Sequence, residues 1–157
     1  GSAVICAAGN EFASRVAFRA NDPHAIAVGA SSDQAKLASY SNVGPETWVV
    51  APSSGGIRGI FTTDVSVPNR GFNLGTAAAG GANGLHTNDF GGTSAATPLV
   101  AGIAALILSV KPDLTRDELR DVLKNSTDKI GPKSSYNAAG HSNKFGYGRI
   151  NAKKAVK

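Results

Sequence analysis

A glycine pair, a serine and a long apolar run together form the feature that most constrains this chain. Residues 91–98 read Gly-Gly-Thr-Ser-Ala-Ala-Thr-Pro and lead into the apolar segment 99–110. Glycine permits a sharp turn, and proline is tolerated in the first turn of a helix, where N–H groups have no intrahelical partner. The stretch therefore predicts a turn entering a helix, with Ser94 at the entrance. Because the helix is apolar all round, we expect it to be buried on every side.

Ser94 has two interpretations. A serine before an apolar run is most simply a helix N-cap. However, residues 92–102, Gly-Thr-Ser-Ala-Ala-Thr-Pro-Leu-Val-Ala-Gly, closely resemble the nucleophile signature of subtilisin-like serine proteases. The nucleophile elbow of α/β-hydrolases fits less well, because Ala96 stands where that motif has glycine. The resemblance implies that Ser94 is a catalytic nucleophile.

A second block, Ala-Ala-Gly-Asn-Glu at 7–11, follows the apolar run 3–8. Asn10 alone would suggest a left-handed turn residue. The Ala-Ala-Gly-Asn-Glu block is, however, similar to a second signature of the subtilisin-like family. It also precedes the serine block, as it does in that family. The resemblance implies that the Asn10 side chain donates a hydrogen bond to the oxyanion formed during acyl transfer. It also implies a set of substrate-binding residues: Ala7, Ala8, Gly9 and Thr93.

The apolar runs indicate an α/β fold. Segments 3–8 and 24–30 are continuous, partly β-branched runs, as expected of central strands in a parallel sheet, and 48–52 continues the pattern. Residues 59–64 predict a further β segment, whereas 66–89 shows no periodicity and predicts a long surface loop. Thr115 and Glu118 form a capping-box pattern that predicts a second helix.

The family resemblance extends over nearly all of residues 1–157 and ends in a Gly-Tyr-Gly-Arg-Ile-Asn motif at 146–151 followed by a short helix. It implies the three-layer α/β fold of subtilisin-like proteases, with a mostly parallel sheet. The whole chain then reads as the C-terminal portion of one catalytic domain.

A serine nucleophile needs a base, and the base needs an orienting group, usually a carboxylate. In the family both precede the oxyanion block, and the histidine is followed by Gly-Thr. The three histidines of this chain are followed by other residues: His24, His86 and His141. We therefore expect the catalytic Asp and His on an N-terminal fragment of the same protease, separated by proteolysis and acting with this chain on a peptide or protein substrate. The alternatives are an inactive fragment and a non-catalytic anion- or ion-binding α/β module.

The loop 12–24 is expected to form one wall of the substrate pocket, beside which some family members bind a cation. Asn21 and Asp22 offer oxygen ligands for calcium, although such an ion takes six to eight oxygens. Arg15 and Arg19 stand where kexin-type relatives carry acidic residues, so their specificity does not transfer to this chain. Cys6, the single cysteine, is most simply a small buried apolar residue.

The net charge of +5 is dispersed along the chain, and aromatic residues make up only 6% of it. Nucleic-acid binding usually needs a clustered basic patch, so we expect no nucleic-acid partner. The longest apolar run has about a dozen residues, fewer than a membrane span requires, so we expect no membrane association. The family resemblance favours a secreted or periplasmic location.

Overall fold

The computed structural model of this chain describes residues 2–65, 71–72 and 85–157. The strands, in chain order, are β1 (Val4–Ala7), β2 (Ala25–Ser31), β3 (Thr47–Pro52), β4 (Ile60–Thr63), β5 (His86–Phe90), β6 (Thr127–Asp128) and β7 (Arg149–Ile150). The helices are α1 (Thr93–Val110), α2 (Arg116–Asn125) and α3 (Ala152–Ala155), with a 3₁₀ turn at Lys133–Ser135.

The main sheet has the strand order β1-β2-β3-β7-β6, and all its pairs except β6–β7 are parallel. This confirms the predicted α/β class with a mainly parallel sheet. Strand β2 is buried along its whole length, as its continuous apolar run predicted. Successive residues of β2 point to opposite faces of the sheet, so Ile26 and Val28 pack with α1 while Ala27 packs with Val16 on the other face.

The strand β1 differs from its prediction. The run 3–8 predicted a central strand, yet β1 forms one edge of the sheet, and no described strand pairs with its outer side. Val4 on this strand is 56% exposed. The inner side of β1 pairs with β2, so the apolar run reflects a strand that is half covered in this chain.

The helix α1 is buried on one face only, contrary to the expectation of burial on every side. Val100, Ala104 and Ile107 pack against the sheet, whereas Leu106 and Val110, which lie to one side of that face, are 52% and 56% exposed. Among the described helices, α1 alone is long and apolar enough to cross a membrane by composition, with a mean hydropathy of 1.8 over 18 residues. Its packing on β1, β2 and β3 gives it the position of a core helix in this domain.

Two further elements bear on the sequence predictions. The helix α2 begins with the predicted capping box: the Thr115 hydroxyl accepts from the Glu118 N–H, and the Glu118 carboxylate accepts from the Thr115 N–H. The predicted strand at 59–64 is β4, which pairs with β5 as an antiparallel ribbon. Residues 86–89, the end of the segment predicted to be a loop, belong to β5, because together with Phe90 they form the strand that pairs with β4. Residues 66–70 and 73–84 of that segment lie outside the described residues.

Candidate active site

The two blocks that carry the family resemblance meet at one end of the parallel sheet. Strand β1 ends just before Gly9 and Asn10, and α1 begins at Thr93. Ligands of open α/β sheets commonly bind outside the carboxyl ends of the strands, which is where these residues lie. Asn10 and Ser94 are both exposed to solvent there, so a substrate could reach them.

The Asn10 carboxamide is held by the residue before the serine. Its Oδ1 accepts a hydrogen bond from the Thr93 backbone N–H at 2.8 Å and another from the Thr93 hydroxyl at 3.0 Å. With the oxygen so engaged, the Nδ2 group is left as a donor, and it has no acceptor among the described residues. A Cβ added to Gly92 would lie 3.4 Å from this Nδ2, which places the amide directly beside the turn that carries Ser94.

The turn before Ser94 depends on glycine. Gly92 adopts φ 80° and ψ 169°, a conformation in the left-handed region that side chains other than glycine rarely adopt. It serves as the N-cap of α1 without a side-chain cap, and its carbonyl accepts from the Ala95 N–H at 3.0 Å. Ser94 is therefore inside the first turn of α1 and is not the N-cap.

Pro98 lies deeper in α1 than the sequence suggested. It is the sixth residue of the helix, beyond the first turn. Proline has no backbone N–H, so the carbonyl of Ser94 has no backbone donor four residues ahead of it. The carbonyl of the preceding residue, Thr93, accepts a hydrogen bond from the Thr97 hydroxyl at 2.7 Å.

The buried residue Asn42 holds the backbone on both sides of Asn10. Its Oδ1 accepts from the backbone N–H groups of Glu11 and Ala13 at 3.0 and 2.8 Å, and its own N–H donates to the Gly9 carbonyl. No prediction from the sequence covered this role of Asn42. A buried asparagine that caps two distant N–H groups gives no local signal, because its partners lie some thirty residues away.

Ala8 and Thr93 are predicted substrate contacts that lie beneath the surface in this chain. Both residues are fully buried. The backbone of Ala8 is also engaged, since its N–H donates to Val28 and its carbonyl accepts from Ala17. These two residues therefore support the site from inside.

Ala7 is half-buried on β1, and Gly9 is half-buried with both of its backbone groups engaged. The Gly9 N–H donates to the Thr93 hydroxyl at 3.2 Å, and its carbonyl accepts from Asn42. Neither backbone group of Gly9 is available to a substrate in this arrangement, whereas Ala7 stays a predicted contact.

The three histidines have other positions in the described part of the chain. His24 is exposed and pairs with Asp22, with 3.2 Å between Nδ1 and the carboxylate. His141 is within hydrogen-bonding distance of the Thr47 carbonyl through Nε2, at 2.8 Å. The ring of His86 stacks on Phe61. That none of the three is the general base stays a prediction.

The loop expected to hold calcium gives a weak cation site. The Asp22 carboxylate accepts from the His24 backbone N–H at 2.7 Å, and this hydrogen bond, with its side-chain counterpart, lowers the pKa of Asp22. No group of three or more His, Cys, Asp or Glu side chains suited to a metal occurs within residues 2–65, 71–72 and 85–157. Asn21 and Asp22 thus do not by themselves fit a calcium site, which needs six to eight oxygens.

The hydrogen bond from the Thr93 hydroxyl to Asn10 can be tested by substitution. Thr93→Val keeps the side-chain shape and the backbone N–H, but it removes one of the two donors to Asn10 Oδ1 and also the acceptor of the Gly9 N–H. We expect kcat of the full-length protein to fall at least about fivefold, because each hydrogen bond lost is worth about 1 kcal/mol. The matched control is Thr97→Val, because that hydroxyl donates only to the helix backbone. Equal kcat values for the two variants would contradict the positioning of Asn10 by Thr93.

This chain is similar to several known proteases. A calcium-dependent protease from a Nostoc species is 48% identical over 136 residues, covering 83% of this chain and 20% of that protein. Alkaline elastase YaB of a Bacillus species is 31% identical over the whole chain, which covers 33% of that protein. The crystal structure of a serine protease from Aeromonas sobria superposes with a TM-score of 0.81 at 25% identity, over 99% of this chain and 36% of that one.

The chain spans between a fifth and about a third of the length of these three proteins. The profile of the subtilase family matches residues 1–148, a range that contains both the Asn10 turn and the helix that begins beside Ser94. Family match, fold and the juxtaposition of the two blocks thus lead to one conclusion: the chain belongs to the subtilase family.

Proposed function

We propose that this chain is part of a serine endopeptidase and supplies its nucleophile, Ser94, and an oxyanion donor, Asn10. The observation that carries the proposal is the hydrogen bonding of Thr93 to Asn10 Oδ1, because it turns the amide Nδ2 into a fixed donor beside the first turn of α1. A preorganised donor at the place where negative charge develops is among the strongest contributions to acyl-transfer catalysis.

The reaction proposed for the complete enzyme is acyl transfer. The Ser94 hydroxyl attacks the carbonyl carbon of a peptide bond while a histidine takes its proton. The carbonyl oxygen becomes an oxyanion that accepts hydrogen bonds from Asn10 Nδ2 and from the Ser94 N–H, a first-turn group without an intrahelical acceptor. The histidine then protonates the leaving amine, and water, deprotonated by the same histidine, releases the acyl group from Ser94.

We propose that the catalytic Asp and His come from an N-terminal segment of the same protease. Two surfaces of this chain would suit such a segment: the open side of β1, and the apolar face of α1 that carries Leu99, Leu106 and Val110. An uncovered parallel-sheet edge and an exposed apolar face are both unfavourable in water. Their location on the two elements that lead to the site supports a partner that completes the site. Cleavage between the two segments is part of this proposal.

Calcium binding by the whole protein is also proposed, because two of its relatives carry the name calcium-dependent protease. The position of that calcium is not assigned to Asn21 and Asp22, for the reasons given above. No step of the proposed reaction uses the ion.

The test compares the full-length protein with the isolated 157-residue chain in hydrolysis of an unstructured protein such as casein. We expect hydrolysis by the full-length protein, its loss after treatment with a serine-directed fluorophosphonate, and no turnover by the isolated chain. Turnover by the isolated chain at the rate of the full-length protein would contradict the proposed division of catalytic residues. Full-length activity that resists the fluorophosphonate would contradict the serine mechanism.

A further inference from the structure

A tyrosine hydroxyl contacts the glycine turn that precedes Ser94. The Gly92 N–H donates to Tyr40 Oη at 3.2 Å. The same Oη lies 3.0 Å from Ser53 Oγ and 3.1 Å from the Ser54 carbonyl, either of which can accept its proton. Tyr40 is half-buried. Its hydroxyl thus has protein partners in both the Gly92 turn and the segment 53–54.

Both backbone groups of Gly92 form hydrogen bonds to side-chain hydroxyl groups. While its N–H donates to Tyr40, its carbonyl accepts from Ser53 Oγ at 2.7 Å. Gly92 has the left-handed φ of 80°, and it immediately precedes the Thr93-Ser94 pair. A residue with so much conformational freedom costs entropy to fix, and external hydrogen bonds can hold it in one conformation.

The backbone of the same segment fixes the other half of the site. The Tyr40 carbonyl accepts from the Phe12 N–H at 2.9 Å, and Asn42, two residues later, binds the Gly9 carbonyl at 2.9 Å. The segment 40–42 therefore contacts the chain on both sides of Asn10 and, through Tyr40 Oη, the turn before Ser94. One short segment spans the two blocks that the proposed reaction requires at a fixed spacing.

We propose that Tyr40 is a positioning residue: its hydroxyl fixes the Gly91–Gly92 peptide and so sets the distance between Ser94 and the Asn10 donor. The inference rests on the proposed function, because it assigns a role within that site. Tyr40 touches neither substrate nor the reacting atoms in this scheme. Displacements of a fraction of an ångström at such a site reduce the rate of the chemical step more than they reduce substrate binding.

The test is Tyr40→Phe in the full-length protein, which removes only the hydroxyl. We expect kcat to fall about tenfold with KM unchanged, and the rate of fluorophosphonate labelling to fall in parallel. The matched control is Tyr136→Phe, because the Tyr136 hydroxyl also bonds backbone groups, but those of Ile130 rather than of the turns that carry Asn10 and Ser94. That variant is expected to lose comparable thermal stability and to keep its kcat.

Two results would overturn the inference: a wild-type kcat in Tyr40→Phe, or an equal fall of kcat in Tyr136→Phe. The second would show that the loss follows stability alone. Ser94→Ala, measured in the same series, separates this outcome from failure of the proposed function. If Ser94→Ala keeps activity the proposed function fails, whereas if it is inactive and Tyr40→Phe is fully active, only the role of Tyr40 is rejected.

Discussion

Replacement of Ser94 by alanine is expected to abolish proteolysis by the full-length protein. Without the hydroxyl no acyl-enzyme forms, and kcat should fall about 10⁶-fold, the size of the loss when subtilisin itself loses its nucleophile. The measurement is hydrolysis of a peptide substrate under saturating conditions. Because Ser94 is exposed at the start of α1, the melting temperature should stay close to that of the wild type.

Ser109→Ala is the matched control for that experiment. Ser109 is exposed near the other end of the same helix, and its hydroxyl donates only to the Leu106 carbonyl. This variant should keep wild-type kcat. Substantial activity in Ser94→Ala would mean that another residue is the nucleophile.

Asn10→Ala is expected to produce the second largest effect. Removal of the Nδ2 donor should lower kcat about 10²- to 10³-fold, the magnitude known for loss of one oxyanion donor in subtilisin, which we adopt for its relative here. KM should not change, because the donor acts on charge that develops only in the transition state. The measurement is the separate determination of kcat and KM in the full-length protein.

Asn10→Asp separates the donor from the structural role of the side chain. A carboxylate retains oxygens to accept from Thr93, but it places negative charge where the oxyanion forms. We expect a loss of kcat at least as large as in Asn10→Ala, with the turn intact. Asn125→Ala, at the exposed end of α2, serves as the unaffected control. A change confined to KM in Asn10→Ala would contradict the assigned role.

The sequence predicted the features that depend on local chemistry. The buried run in β2, the capping box at Thr115 and the glycine turn before Ser94 were all evident, because each is determined by neighbouring residues. The family signatures then indicated that Asn10 and Ser94 belong to one site, which periodicity alone could not have shown.

The features that escaped prediction depend on distant contacts. Whether an apolar helix is covered on one side or on all sides depends on what packs against it, and the composition of α1 does not reveal that. The inward position of Thr93 follows from its bonds to Asn10 and Gly9, some eighty residues away. The hydrogen bonds of Tyr40 and Asn42 likewise join segments that are far apart in sequence.

The most direct measurement is to label the full-length protein with a serine-directed fluorophosphonate, digest it and locate the adduct by mass spectrometry. The account predicts a single adduct on the hydroxyl of Ser94, formed only while the protein is folded. An adduct on a different residue, or none on an active enzyme, would contradict the assignment of Ser94 as the nucleophile beside Asn10.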